Sequence, residues 1–265
     1  MNFHTCLFTK NDCYRAGRTI KPEGVMVHST GANNPNLRRY VQPDDGLLGK
    51  NKNGNHWNRP GVDKCVHAFI GKLADGTVAT YQVLPWEWRG WHAAGWANDT
   101  HISFEICEDG LDDRDYFERV YREAVELTAM LCSEYNLDPL ADGAVICHKE
   151  GYRRGIASNH GDVEHWFPRF GKTMDDFRKD VARELEEEEV TQEQFNEMMA
   201  IYLKQLAEQP DTKWGAEWSE AKEWAESNGL IKGDENGNKQ YQSFTTRQAM
   251  VLFLYRLTNM LKESD

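Results

Sequence analysis

The chain has 265 residues, 40% of them hydrophobic, and a net charge of −12. That length suggests one mid-sized domain with a smaller one beside it, and the apolar content is enough for a buried core. The negative balance argues against nucleic acid as a partner, because phosphate binding needs a basic face. No run approaches the ~18 apolar residues of a membrane span.

The N-terminus, Met1-Asn2-Phe3-His4-Thr5-Cys6, has no basic region followed by a long apolar segment. It does not read as a secretory signal, so the expected location on synthesis is the cytoplasm. Val25–His28 reads as a strand that runs into the turn Ser29-Thr30-Gly31. Val66–Gly71 and Thr77–Leu84 read as strands flanking Ala74-Asp75-Gly76, where Asp-Gly is a turn signal. His101–Glu108 alternates, with Ile102, Phe104 and Ile106 on one face and Ser103, Glu105 and Cys107 on the other. Tyr116–Tyr135 has helical spacing, with Val120, Ala124, Leu127 and Leu131 on one face. Ala144–His148 reads as a further strand and Met174–Leu185 as a helix. None of the six cysteines forms a CxxC pair, and they read as mostly reduced, with Cys107 and Cys147 inside strands. The expected class is α/β, a mixed central β-sheet flanked by helices over residues 1–187, with a small all-α domain over 188–265. Loops carry much tryptophan: Trp86, Trp88, Trp91, Trp96 and Trp166.

His28 and His148 each close an apolar run, and Asp162 follows in Asn159-His160-Gly161-Asp162. Two imidazoles and one carboxylate are a common ligand set for catalytic zinc, because they leave a fourth position open for water. Spacing alone leaves other readings open. Taken singly, either histidine reads first as a buried or loop imidazole satisfied by backbone, and Asp162 as a turn or helix cap, its commoner role.

Five segments narrow the choice: His28-Ser29-Thr30, Trp91-His92-Ala93-Ala94-Gly95, Ser103-Phe104-Glu105-Ile106, Cys147-His148-Lys149-Glu150-Gly151 and Asn159-His160-Gly161-Asp162. In that order they resemble the type 2 N-acetylmuramoyl-L-alanine amidases, a group of phage endolysins, bacterial autolysins and animal peptidoglycan recognition proteins. The resemblance covers residues ~20–185 and is similar over His148–Asp176 to clostridial and bacillar phage lysins. It implies hydrolysis of the amide between N-acetylmuramic acid and L-alanine in bacterial peptidoglycan. It also implies a zinc ion on His28, His148 and Asp162, with Glu105 as general base. His160 falls where many members have lysine and would steady the oxyanion, with more pH sensitivity than lysine has. His92 and Trp91 would line the substrate groove. His67 is either another wall residue or a core histidine. The implied setting is a phage or prophage lysin that reaches the wall after holin-type release. The rivals are a non-catalytic peptidoglycan-binding protein and a two-carboxylate glycosidase, which would need a second acid opposite Glu105. Glu108 and Asp109 are nearby, but nothing marks either.

After the acidic run Glu186–Glu189 comes a capping box, Thr191-Gln192-Glu193-Gln194, with Val190 and Phe195 as a staple. It predicts a helix over 192–208 that stops at Gln209-Pro210-Asp211. Residues 186–265 hold 16 Asp and Glu against 8 Lys and Arg. Trp218, Ala221, Trp224 and Ala225 form a helical stripe that Gly229 can cap. Leu230-Ile231-Lys232-Gly233-Asp234 follows, then a second capping box, Thr245-Thr246-Arg247-Gln248, then Ala249, Leu252, Phe253, Tyr255 and Arg256. This helix–loop–helix resembles a single S-layer homology motif. The resemblance implies binding to a secondary cell-wall polymer; the alternative is a packing element that makes a homodimer.

Overall fold

The computed structural model of the chain describes residues 1–188, 192–207, 216–233, 237, 239, 241, 245 and 247–263. They fall into two units, Met1–Glu189 and Val190–Asp265.

The first unit holds strands β1 (Phe3–Thr5), β2 (Gly24–Ser29), β3 (Ala68–Lys72), β4 (Val78–Gln82), β5 (His101–Ile106) and β6 (Val145–Cys147). Its helices are α1 (Asp12–Ala16), α2 (Arg114–Tyr135), α3 (His148–Arg153) and α4 (Met174–Glu188). The strands form one sheet in the order β1-β4-β3-β5-β2-β6. Only the β3–β4 hairpin is antiparallel, so the sheet is mixed. Its turn contains Gly76 at φ +88, a conformation glycine adopts freely. Asp75 braces that turn by accepting from the Thr77 backbone N–H at 2.9 Å.

Alternation along the strands separates two jobs. Val25, Val27, Ile102, Phe104, Ile106 and Val145 share one cluster with Val120, Ala124, Leu127 and Leu131 of α2 and with Phe177 and Val181 of α4. Burying each such Val, Leu, Ile or Phe contributes about 1.5–3 kcal/mol. Asp113 caps α2 by accepting from the Tyr116 N–H, and Asn136 closes it at φ 53. The opposite face presents Met26 and Ile146, packed on Ala93 and Ala97, and at the strand ends it carries polar groups. Because β2 and β5 are parallel and in register, His28 lies directly beside Glu105. Val27 pairs with Cys147 on the other side, so His148 begins one residue beyond the end of β6. Ligands collect at such carboxyl ends of parallel strands.

Three local expectations are corrected. His148 is not the last residue of a strand but the first of α3. The Glu150 side chain reaches back to accept from the Cys147 N–H at 3.1 Å and closes a helical turn there. Cys107 lies one residue past β5. α4 runs past the expected Leu185 to Glu188. All six cysteines are free thiols. β1 and α1 are additional elements, three and five residues long.

The second unit is helical: α5 (Gln192–Ala207), α6 (Ala216–Ser227) and α7 (Arg247–Glu263). Gly229 takes φ +67 just past α6, and Leu230 behind it is buried. Arg256 of α7 donates to the Leu230 carbonyl at 2.9 Å, and the Trp218 and Tyr241 rings meet edge to face at 5.4 Å. α5 leaves Phe195, Met198, Met199, Ile201, Tyr202 and Leu203 exposed. Val190 of the expected staple, Thr191 of the first capping box, Gln209-Pro210-Asp211, Asp234 and Thr246 lie outside the described residues.

Candidate metal centre and groove

His28 and His148 are buried at the ends of β2 and β6, and Asp162 comes from the loop after α3. Their donor atoms converge. His28 Nδ1 lies 3.1 Å from His148 Nδ1, and Asp162 Oδ2 lies 3.3 Å from each of them. Among the described residues these three form the group able to hold a metal ion. Bonds of about 2.0–2.1 Å to a tetrahedral ion place neighbouring donors about 3.3–3.4 Å apart. The observed triangle therefore has nearly the edges such an ion needs, with its fourth vertex left for solvent or substrate.

Electrostatics agree with that use. Burial pushes the Asp162 carboxyl up, but hydrogen bonds with His148 and His28 outweigh it and hold the group well below the usual carboxylate range. Burial lowers the His28 pKa, which favours a neutral imidazole with a lone pair to donate. Glu105 behaves in the opposite way. Its Oε2 is buried with no hydrogen-bond partner. Burial, with Asp162 and then Glu108 nearby, drives its pKa well above the usual value. An unsatisfied buried carboxyl oxygen is costly, so this group is poised to hold or pass a proton rather than to brace the fold.

The loop that carries Asp162 is pinned from several sides. Ser158 N–H donates to the Ala93 carbonyl at 2.8 Å, and Ala97 N–H donates to the Ile156 carbonyl at 3.0 Å. A Cβ on Gly95 would stand 2.4 Å from that same Ile156 oxygen, so only glycine lets the two loops approach. His165 lies 2.9 Å from the buried Glu108, which also accepts from the Gly31 N–H. From α4, Arg178 donates to Glu150 and to the Val145 carbonyl, clamping the first turn of α3 where His148 sits.

The groove around the triangle has a volume of about 440 Å³ and is lined by Trp57, Asp63, Lys64, Trp91, His92, Glu105, Ser158 and His160, besides the three candidate ligands. His92 Nδ1 lies 3.0 Å from His28 Nε2, so it backs a ligand as well as facing the groove. Trp91 is 43% exposed, enough to offer a ring face to a ligand.

His67 does not reach the groove. It is fully buried, with Nε2 at 2.6 Å from the Trp88 carbonyl and Nδ1 accepting the Ser103 N–H. The wall reading of His67 is therefore replaced by the core one. Trp166 is likewise buried in the core. Trp57, Asp63, Lys64 and Ser158 were not foreseen. They sit in segments without periodicity, where no spacing marks a side chain as facing a cleft.

The sequence model of the family described as N-acetylmuramoyl-L-alanine amidase matches residues 18–165, more than half of the chain. No curated protein matches the chain. Among solved structures, the catalytic domain of XlyA is 22% identical, with 68% of this chain and 99% of that one covered and a TM-score of 0.48. The Staphylococcus aureus hydrolase AmiA, solved with its ligand, is 19% identical over 69% of this chain and 82% of its own, with a TM-score of 0.48. The amidase LysC from Clostridium intestinale is 19% identical over 58% and 88%, with a TM-score of 0.33.

Proposed function

The chain belongs to the N-acetylmuramoyl-L-alanine amidase family and is an enzyme of that kind, and we propose that it works as a zinc-dependent endolysin. On this reading its amidase activity cuts the bond between N-acetylmuramic acid and L-alanine in bacterial peptidoglycan. The observation that carries the metal assignment is the triangle of His28 Nδ1, His148 Nδ1 and Asp162 Oδ2, whose edges of 3.1–3.3 Å suit a small tetrahedral ion. Two nitrogens and one carboxylate oxygen match zinc better than calcium or magnesium, which prefer all-oxygen shells.

When bound, zinc supplies Lewis acidity, polarising a carbonyl and bringing the pKa of water down to about 7. The rest is the work of this chain's residues. Glu105 takes a proton from the attacking water and returns it to the departing L-alanine amine, a role its high proton affinity suits. His160 donates a hydrogen bond to the oxygen on which negative charge develops. Trp91 and Trp57 offer ring faces along the groove for sugar and peptide. His92 orients His28 from behind.

The C-terminal unit is read as an attachment module of the S-layer homology kind. Its exposed apolar side chains on α5 suit a contact surface, for a wall polymer or for a second copy of the chain. The proposed setting is synthesis in the cytoplasm and release to the wall through a holin-type pore. The test of the metal reading is elemental analysis of purified protein. One zinc per chain, lost in His28→Ala, is the expected result, and a fully active metal-free protein would end it.

A further inference from the structure

The two histidines of the triangle are backed differently. His28 Nε2 meets an imidazole, His92 Nδ1. His148 Nε2 meets a hydroxyl, Ser158 Oγ, at 3.1 Å. That hydroxyl lies 3.0 Å from His160 Nδ1, and the His148 and His160 rings are 4.6 Å apart. Three side chains thus form one hydrogen-bonded line from a candidate ligand to the candidate oxyanion donor. The backbone of Ser158 is tied separately to the Ala93 carbonyl, so its side chain is not what anchors the loop.

Proton counting gives that line a direction. A neutral histidine that turns the Nδ1 lone pair to an ion carries its hydrogen on Nε2. His148 must then donate to Ser158 Oγ. A hydroxyl has a single hydrogen. With its oxygen accepting from His148, Ser158 donates that hydrogen to His160 Nδ1. A neutral His160 whose Nδ1 accepts carries its own hydrogen on Nε2. Without an ion the direction is not imposed, because Asp162 Oδ2 lies at the same 3.3 Å from both Nδ1 atoms and either ring can supply the proton there.

We infer that Ser158 is a positioning residue that transmits the ligand state of His148 to His160 and holds His160 as an Nε2–H hydrogen-bond donor. This rests on the metal reading above and adds to it a coupling between ion occupancy and the groove. Loss of the hydroxyl would strip the buried His148 Nε2 of its partner and free His160 to adopt either tautomer.

The test uses the full chain with 15N-labelled histidine, loaded with zinc at about pH 8, where ordinary imidazoles are neutral. In the wild type the His160 nitrogens should report a pure Nε2–H tautomer. Ser158→Ala should weaken zinc about 10-fold in competition with a chelator and move the His160 nitrogens toward an average of both tautomers. Ser158→Thr, which keeps the hydroxyl, should restore both. A loaded wild type with His160 protonated on Nδ1 overturns the relay, and that measurement decides the matter even if Ser158→Ala fails to fold. So does a Ser158→Ala protein with unchanged zinc affinity and unchanged His160 nitrogens. If the wild type takes up no zinc, with no change at the His28 and His148 nitrogens, the metal reading falls and the relay with it; normal loading with indifference to Ser158 defeats the relay alone.

Discussion

Glu105 separates catalysis from stability more cleanly than any other side chain of the groove. Its buried oxygen has no partner to lose, so Glu105→Gln removes a proton carrier without removing a brace. That variant should keep its zinc and unfold at the same or a higher denaturant midpoint, while kcat falls by about 10²–10⁴. Equal activity in the Gln protein would remove Glu105 from the mechanism. His67 gives a second residue-level expectation. Burial lowers its pKa to about 4, whereas in the unfolded chain it titrates near pH 6.5. The unfolded state therefore binds the extra proton first. The contribution to stability is complete above about pH 6.5, is lost as pH falls toward 4, and amounts to about 3 kcal/mol at most. Urea unfolding at several pH values should show that slope, reduced in His67→Gln; an unchanged slope in the variant contradicts it. Residue types were the most legible layer. The two imidazoles stand out at the ends of apolar runs, whereas Asp162 and Glu105 stand out only through the segments that resemble the family. The part played by Ser158 was invisible, because a serine in a loop carries no pattern until its neighbours in space are known.

At the scale of elements, alternation did most of the work. Ile102, Phe104 and Ile106 pack on α2 as their spacing predicts, which leaves Glu105 on the face shared with His28. What spacing could not supply was the start of α3 at His148. An apolar run ending in histidine looks the same whether the next turn is a loop or a helix, and the deciding contact, Glu150 reaching back to Cys147, is side chain to backbone. The short β1 falls below the length at which a period of two can be recognised. The contact between the 91–97 and 156–158 segments makes a further prediction. A methyl group on Gly95 would meet the Ile156 carbonyl, so Gly95→Ala should push apart the loops that set Ser158 and Asp162. The expected result is zinc affinity at least 10-fold lower and a stability loss of about 1–3 kcal/mol. Unchanged zinc binding would show that the loops give way without cost.

On the scale of the molecule, every residue of the triangle and its groove belongs to the Met1–Glu189 unit. Protein truncated after Glu189 should therefore cleave soluble muropeptide with a kcat/KM within about 3-fold of the full chain, and lose affinity only for intact wall if the helical unit is an attachment module. Unchanged affinity for intact wall would reject that module. The acidic balance of residues 186–265 was readable at once, but what their exposed helices meet was not, because an apolar stripe says that a helix is covered without naming the cover. Mass spectrometry of digested peptidoglycan, with and without a zinc chelator, reads out the proposed hydrolysis of one particular amide with a zinc ion held by His28, His148 and Asp162. New L-alanine amino termini with no new reducing sugar ends, abolished by the chelator and restored by zinc, are the predicted products. New reducing ends, or the same cleavage after the metal is stripped, would contradict it.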